Sequence, residues 1–176
     1  MKRLLKRLLF LSINPFFYSK FKAKISNLEN VLLVDIDNTI AGTHEYLLEN
    51  GKIEVDSIEP IANMKEWVLS EGQRKTVIYI SARNYLLYGK TKKWLHDNGF
   101  LFDDNLLIMV LLPEQKIAYI EACLVNRAAV TLIDDMSFLN EKRELFFYCE
   151  LIEKLRKLPI EYIGYEGIKK LTLKHD

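Results

Sequence analysis

Val31-Leu32-Leu33-Val34-Asp35-Ile36-Asp37-Asn38-Thr39 is a run of apolar residues that stops abruptly on two acids one residue apart. A short continuous apolar run of this kind reads as a strand buried on both faces, the type found inside parallel sheets. The same form recurs along the chain. Thr76-Val77-Ile78-Tyr79-Ile80 closes on Ser81, residues 106–111 are stopped by Pro113, and Ala129-Val130-Thr131-Leu132-Ile133 ends on Asp134-Asp135. A last short strand is expected over residues 160–163, after Pro159.

Between these runs the period changes to that of helices. Pro60 is expected to open a helix carrying Ile61, Met64, Trp67, Val68 and Leu69, closed by Gly72. A second helix runs from about Tyr85 through Trp94 and Leu95 to Gly99, a third from Lys116 through Tyr119, Ile120 and Leu124, and a long one over residues 141–158. Trp67 and Trp94 fall on apolar helical faces and are expected in the core. The stretch with Gly42 and Gly51 reads as polar connection. Strand and helix alternate throughout, which predicts an α/β fold, a three-layer sandwich around a mostly parallel central sheet.

The chain of 176 residues, 49% of them hydrophobic and 28% charged, fits one globular domain with a short extension to spare. Residues 1–28 read as that extension and 29–176 as the domain. A net charge of +1 excludes a global field for nucleic acid. Locally, Lys2, Arg3, Lys6, Arg7, Lys20, Lys22 and Lys24 precede the first acid, Glu29, while Leu4, Leu5, Leu8, Leu9 and Phe10 share one side of a helix that Asn14-Pro15 would end. Arg7 leaves the apolar run far short of the roughly 20 residues of a membrane span. Two readings of residues 1–24 stand: peripheral attachment to an anionic inner-membrane surface, or packing on the chain's own domain or on a second subunit. Cys123 and Cys149 have neither zinc nor redox spacing and read as buried core thiols, which places the chain in a reducing cytoplasm.

Ligands of open parallel sheets gather outside the carboxyl ends of the strands, where this sequence puts Asp35, Asp37, Ser81, Asp134 and Asp135. Several carboxylates converging on one point repel one another unless a cation neutralises them. Oxygen donors with no nearby thiolate or imidazole suit Mg²⁺.

These residues resemble the signatures of the haloacid dehalogenase (HAD) superfamily, and their joint order carries the likeness. Asp35-Ile36-Asp37-Asn38-Thr39 is similar to the first signature, Asp-x-Asp-x-Thr; Ser81 resembles the second, within an Ile80-Ser81-Ala82-Arg83 stretch like the Thr-Gly-Arg form of some small phosphatases. Lys116 matches the third, and Leu132-Ile133-Asp134-Asp135 the fourth in its Asp-Asp form. The resemblance implies a Rossmann-like, HAD-like domain hydrolysing a phosphomonoester with Mg²⁺. Asp35 would be the nucleophile that becomes phosphorylated, and Asp37 the general acid and base, its backbone carbonyl reaching the metal. Ser81, Lys116 and Arg83 would meet the phosphoryl group, Arg83 alternatively pairing at the surface. Asp135 aligns with the direct metal ligand and Asp134 with its support. His44 follows the first signature and reads as a solvated loop residue.

Too few residues separate Thr39 from Ser81, or Lys116 from Asp134, for a cap domain. Capless members act on exposed or large phosphorylated substrates or borrow a lid from another subunit, so the resemblance implies a polynucleotide end, a sugar or lipid-linked phosphate, or a phosphoprotein. Receiver domains share Asp, Ser/Thr and Lys around Mg²⁺, but their lysine follows the last strand instead of preceding an acid pair. A non-catalytic scaffold of the same fold is the alternative from another class; loss of a motif acid would mark it, and all are present.

Overall fold

Alternation within β1 (Asn30–Val34) sends Val31 and Leu33 into one core and Leu32 and Val34 into another, and all four are fully buried. A strand covered on both sides sits in the middle of a sheet, and β1 does. The computed structural model describes residues 15, 17–100 and 107–173. Within them β2 (Thr76–Ser81), β3 (Leu107–Met109), β4 (Ala129–Ile133) and β7 (Glu161–Ile163) join β1 in one five-stranded sheet of order β3-β2-β1-β4-β7. Every pairing in it is parallel, with Val31 opposite Thr76 on one side and Val130 on the other. The expected α/β sandwich is the observed architecture.

Helices cover both faces. A helix over residues 17–25 (α1), α5 (Lys116–Val125) and α6 (Cys149–Arg156) enclose one core with Phe21, Ile25, Tyr119, Ile120, Leu151 and Leu155. On the other face α3 (Ala62–Glu71), α4 (Tyr88–Asp97) and α7 (Tyr165–Thr172) contribute Met64, Val68, Trp94, Leu95 and Ile168. Each such fully buried aliphatic side chain adds about 1.5–3 kcal/mol by leaving water. Trp94 also donates its indole N–H to the Ile58 carbonyl at 2.7 Å, and Trp67 is partly buried against the same core.

The sheet reverses direction of growth at β1. From β1 the chain builds outward through β2 to β3, then returns to place β4 on the opposite side. A crevice opens at such a switch point beyond the carboxyl ends of the two diverging strands. Here those ends are Asp35 and Asp134.

Several expectations need correction. Residues 141–158 do not form one helix: β5 (Ser137–Leu139) and β6 (Leu145–Phe147) make an antiparallel hairpin, and only α6 is helical. The Asn140 side chain accepts from the backbone N–H of Lys142 (2.9 Å) and Glu144 (2.8 Å), and Arg143 turns the chain at φ 63°, so the charged run becomes a tight turn. The polar connection after β1 contains a helix, α2 (Thr43–Asn50), ended by Gly51 in the left-handed conformation. Pro60 bridges Ala41 instead of opening α3, which starts after Ile61. Cys149 is exposed at the start of α6, whereas Cys123 is buried. Helix α7 was not anticipated.

Of residues 1–24, the basic residues Lys2, Arg3, Lys6 and Arg7 and the apolar Leu4, Leu5, Leu8, Leu9 and Phe10 lie outside the described residues, as does Leu106. In α1, Phe21 and Ile25 enter the core while Lys20, Lys22 and Lys24 face outward. Among the described residues no helix is long and apolar enough to cross a membrane.

Candidate active site

The loop after β1 winds around one carbonyl. Ile36 C=O accepts from the N–H groups of Ile40 (3.1 Å) and Ala41 (3.0 Å), which turns the chain so that Asp35 and Asp37 both border the crevice. Asn38 permits the turn by adopting φ 53°, a left-handed geometry that asparagine tolerates better than most residues. Its Oδ1 accepts from His44 N–H at 2.7 Å, seating the first turn of α2. Its buried Nδ2 lacks a hydrogen-bond partner. Thr39 reaches across to β4, where its hydroxyl oxygen accepts from Asp135 N–H at 3.2 Å. The two acid-bearing loops are thereby fastened to each other.

At the floor, carboxylate oxygens of Asp35, Asp134 and Asp135 lie within 4.8 Å of one another, and all three residues are buried. Lys116 enters from the first turn of α5. Its Nζ donates to Asp35 Oδ1 at 2.6 Å and to Asp134 Oδ2 at 2.5 Å. Gln115 fixes where that helix begins, its Oε1 accepting from the N–H groups of Leu111 (2.8 Å) and Leu112 (3.0 Å). Asp134 Oδ1 accepts from Met136 N–H at 2.9 Å, so both Asp134 oxygens are engaged. Asp135 Oδ2 accepts from the Ser137 hydroxyl. Met136 is buried at φ 48°, a conformation that costs on the order of 1–3 kcal/mol and recurs at functional sites.

Electrostatics at the floor are unbalanced. Burial raises the Asp35 carboxyl well above its ordinary value; Lys116 opposes this and the Asp134 and Asp37 charges add to it. Burial likewise pushes Asp135 up to about 7, with the Ser137 hydrogen bond opposing and Asp134 adding. Burial also works against the charge of Lys116, but Asp134 and Asp35 outweigh it and its pKa is raised. One ammonium therefore faces three carboxylates. Oxygen-only donors at this spacing, with negative charge still uncompensated, suit a hard divalent cation, and the cluster fits a metal ion.

Asp37 has a different principal partner. Arg83 Nε donates to both Asp37 oxygens at 3.0 Å, Nη2 to Oδ1 at 2.8 Å, and Thr43 Oγ1 to the same oxygen at 2.6 Å. Burial favours the neutral acid, but the Arg83 charge and these hydrogen bonds win, holding Asp37 below the usual carboxylate value. Arg83 is 5% exposed and also reaches Thr91 at 3.4 Å. It pairs in the interior, neither at the surface nor on the cleft wall.

The sequence-selected residues thus divide. Asp35, Asp37, Lys116, Asp134 and Asp135 all line one cleft of about 240 Å³. Ser81 is fully buried at the end of β2, its Oγ accepting from Arg83 N–H at 3.3 Å, and Ala82 forms the cleft surface there. His44 is half-buried on the cleft wall rather than solvated, and burial lowers its pKa against the opposing charge of Asp37. Thr43 and Ser137 were missed; each is a lone hydroxyl residue in the sequence, and only the fold brings it to a carboxylate. A larger cleft, about 660 Å³ between β7, α6 and α7, touches Asp135 but not Asp35, Asp37 or Asp134.

No family model matches this chain. No curated protein matches it either. Among solved structures, the Class C acid phosphatase from Bacillus anthracis with tungstate bound is similar over 99% of this chain and 91% of that one, at 12% identity and a TM-score of 0.48. A second structure of the Class C acid phosphatase from Bacillus anthracis covers the same shares at 14% identity and a TM-score of 0.47. Likeness of this degree leaves the functional argument to the site itself.

Proposed function

We propose that the chain is an HAD-type phosphohydrolase, cleaving a phosphomonoester by transient phosphorylation of Asp35 with Mg²⁺ as cofactor. The observation that carries the reading is the junction on one loop of two carboxylates with separate cationic partners, Asp35 against Lys116 and Asp37 against Arg83. A nucleophile and a proton carrier need such separate surroundings.

In this account the Asp35 carboxylate attacks phosphorus while the bond to the leaving oxygen breaks, giving an aspartyl phosphate and an alcohol. Lys116 opposes the burial that disfavours the Asp35 carboxylate and would meet the phosphoryl oxygens. Ser81, buried behind Ala82, would have to turn its O–H into the cleft to meet the phosphoryl group. Asp37, kept ionised by Arg83, takes a proton from the water that attacks the aspartyl phosphate, and hands that proton to the leaving oxygen in the next turnover. Arg83 serves as a positioning residue for Asp37 instead of a phosphate ligand. Asp35, Asp135 and the Asp37 backbone carbonyl would hold Mg²⁺, with Asp134, whose oxygens are already engaged, in support. The ion's chemistry there is to neutralise charge on the phosphoryl oxygens and on the acids.

The test is turnover of a generic aryl phosphate with and without Mg²⁺, in the native chain and in Asp35→Asn. Activity should require the metal and fall to background in the variant. Turnover without metal, or in Asp35→Asn, would contradict the mechanism.

A further inference from the structure

The acids form only the floor of the cleft; above them, beside Thr43, His44 and Ser137, its lining is largely apolar. On one side stand Leu47 of α2 and Ile53 just beyond it, on the other Phe138 and Leu139 of the hairpin, with Pro113 and Tyr148 at the margin. Neither wall belongs to the central sheet. Phe138 is held in place by Tyr148, ring centroids 4.7 Å apart, and by Phe146 at 5.9 Å. The two walls are clasped at the rim: Arg143, at the hairpin turn, donates Nη1–H to the Leu48 carbonyl near the end of α2 at 3.0 Å. A Cβ at Gly51, the residue that ends α2 with φ 75°, would lie 3.3 Å from Arg143 Nη2, so this glycine also makes room for the clasp.

Charge excludes one class of substrate. Among the described residues that line the cleft, the one lysine or arginine is Lys116, and its ammonium already serves Asp35 and Asp134. A leaving group with further phosphates or carboxylates would find acids below and mostly hydrocarbon beside it, with no lysine or arginine other than Lys116 among the described lining residues. The volume of about 240 Å³ is below the roughly 300–1,000 Å³ of drug-sized ligand pockets. It holds a phosphoryl group and the first carbons of what the phosphate is attached to.

We propose that the cleft takes a phosphomonoester whose leaving group is uncharged and apolar next to the ester oxygen, gripped between Leu47 and Ile53 on one wall and Phe138 and Leu139 on the other. This substrate class deepens the phosphatase reading above and rests on it. Leu47, Ile53, Phe138 and Leu139 are the specificity determinants, and the Arg143–Leu48 hydrogen bond links the two segments that carry them.

The probes are ethyl-, butyl- and hexylphosphonate, which resist hydrolysis, titrated by calorimetry into the full chain with Mg²⁺, alongside turnover of ethyl, butyl and hexyl phosphate. Affinity should tighten about fourfold for each methylene that enters the apolar walls. Ile53→Ser and Phe138→Ser should flatten that dependence; Val125→Ser, an exposed position at the end of α5 outside the cleft lining, should leave the dependence intact. Affinity independent of chain length, or an unchanged dependence in both Ile53→Ser and Phe138→Ser, overturns the proposal even if every ester is hydrolysed. A chain-length dependence without any turnover supports the apolar site and sinks the phosphatase reading instead.

Discussion

Lys116 is the cation on which the floor of the cleft depends. Removing it leaves Asp35 and Asp134 buried without their partner, and breaking a buried pair from one side typically costs about 3–5 kcal/mol. Lys116→Met is therefore expected to lower stability in metal-free urea unfolding by about that amount, and a loss under about 1 kcal/mol would show that the acids find other relief. Asp35, Asp37, Asp134 and Asp135 were legible because they follow the ends of apolar strands, and Lys116 because its place at a helix start upstream of the last acids matches the order of the signatures it resembles. Arg83 was not legible in the same way. A long side chain two residues past a strand can swing to substrate, surface or neighbour, and here Asp37 and Thr91 decide the matter from segments remote in sequence. Cys149 fails for a simpler reason: its apolar neighbours belong to the hairpin and to α6, and it lies at the junction between them.

Elements with a single period were read correctly, as β1, β2, β4 and α5 show, because burial on a sheet or helix face imposes that period. Residues 141–148, the first part of the helix expected over 141–158, were misread because charged residues in a row suit an exposed helix and a polar turn equally. What separates them is the Asn140 side chain, which offers the backbone of Lys142 and Glu144 an alternative to helical hydrogen bonds. Packing between elements can also reverse an intrinsic preference. Alanine for glycine in a helix ordinarily stabilises by about 1 kcal/mol, but a Cβ at Gly167 of α7 would lie 2.7 Å from Ile163 Cγ2 of β7. Gly167→Ala should destabilise by about 1–3 kcal/mol in thermal unfolding; a rise in stability would show that α7 is free to move off β7. At the end of α3, Lys75 bonds Glu71 at 2.9 Å and the Thr131 hydroxyl at 2.8 Å, tying the helix to β4. The Lys75 hydrogen bond lowers the Glu71 pKa from 4.5 against a desolvation penalty. A depressed carboxyl adds stability that is complete above pH 4.5 and is lost as pH falls through the lower folded-state value. Glu71→Gln should remove that part of the acid-side slope, an effect under about 1 kcal/mol, and an identical slope in the variant would contradict the assignment.

For the molecule as a whole, topology converts local sequence into a site. Strand order β3-β2-β1-β4-β7 puts the two strands that end in acids side by side at the point where the sheet changes direction, and α5 delivers Lys116 between them. Alternation of strands and helices announced the layers, but not which strands are neighbours; that the acids meet follows from β1 pairing with β4 in register, Val34 opposite Ile133. The lid-like walls were invisible for the same reason, since α2 and the hairpin are distant in sequence and meet through Arg143 and Leu48. Uncompensated charge at the floor means that the folded chain should bind Mg²⁺ better than the unfolded one. At Mg²⁺ a hundredfold above its Kd the gain is about 2.7 kcal/mol, or roughly 5–10 °C in Tm for a chain of this size, and an equal Tm in Mg²⁺ and in chelator would count against a metal centre. The central claim, that Asp35 carries the phosphoryl group, is tested most directly by trapping. Asp37→Asn, with water activation impaired, is mixed with an aryl phosphate, whose leaving group departs without a proton, and Mg²⁺, then quenched in acid, reduced with borohydride and digested for mass spectrometry. Reduction of an aspartyl phosphate yields homoserine, so the peptide containing Asp35 should show that conversion only when both ester and metal were present. Turnover by the native chain with Asp35 left as aspartate in every such sample, or phosphate recovered on Ser81, would contradict the account.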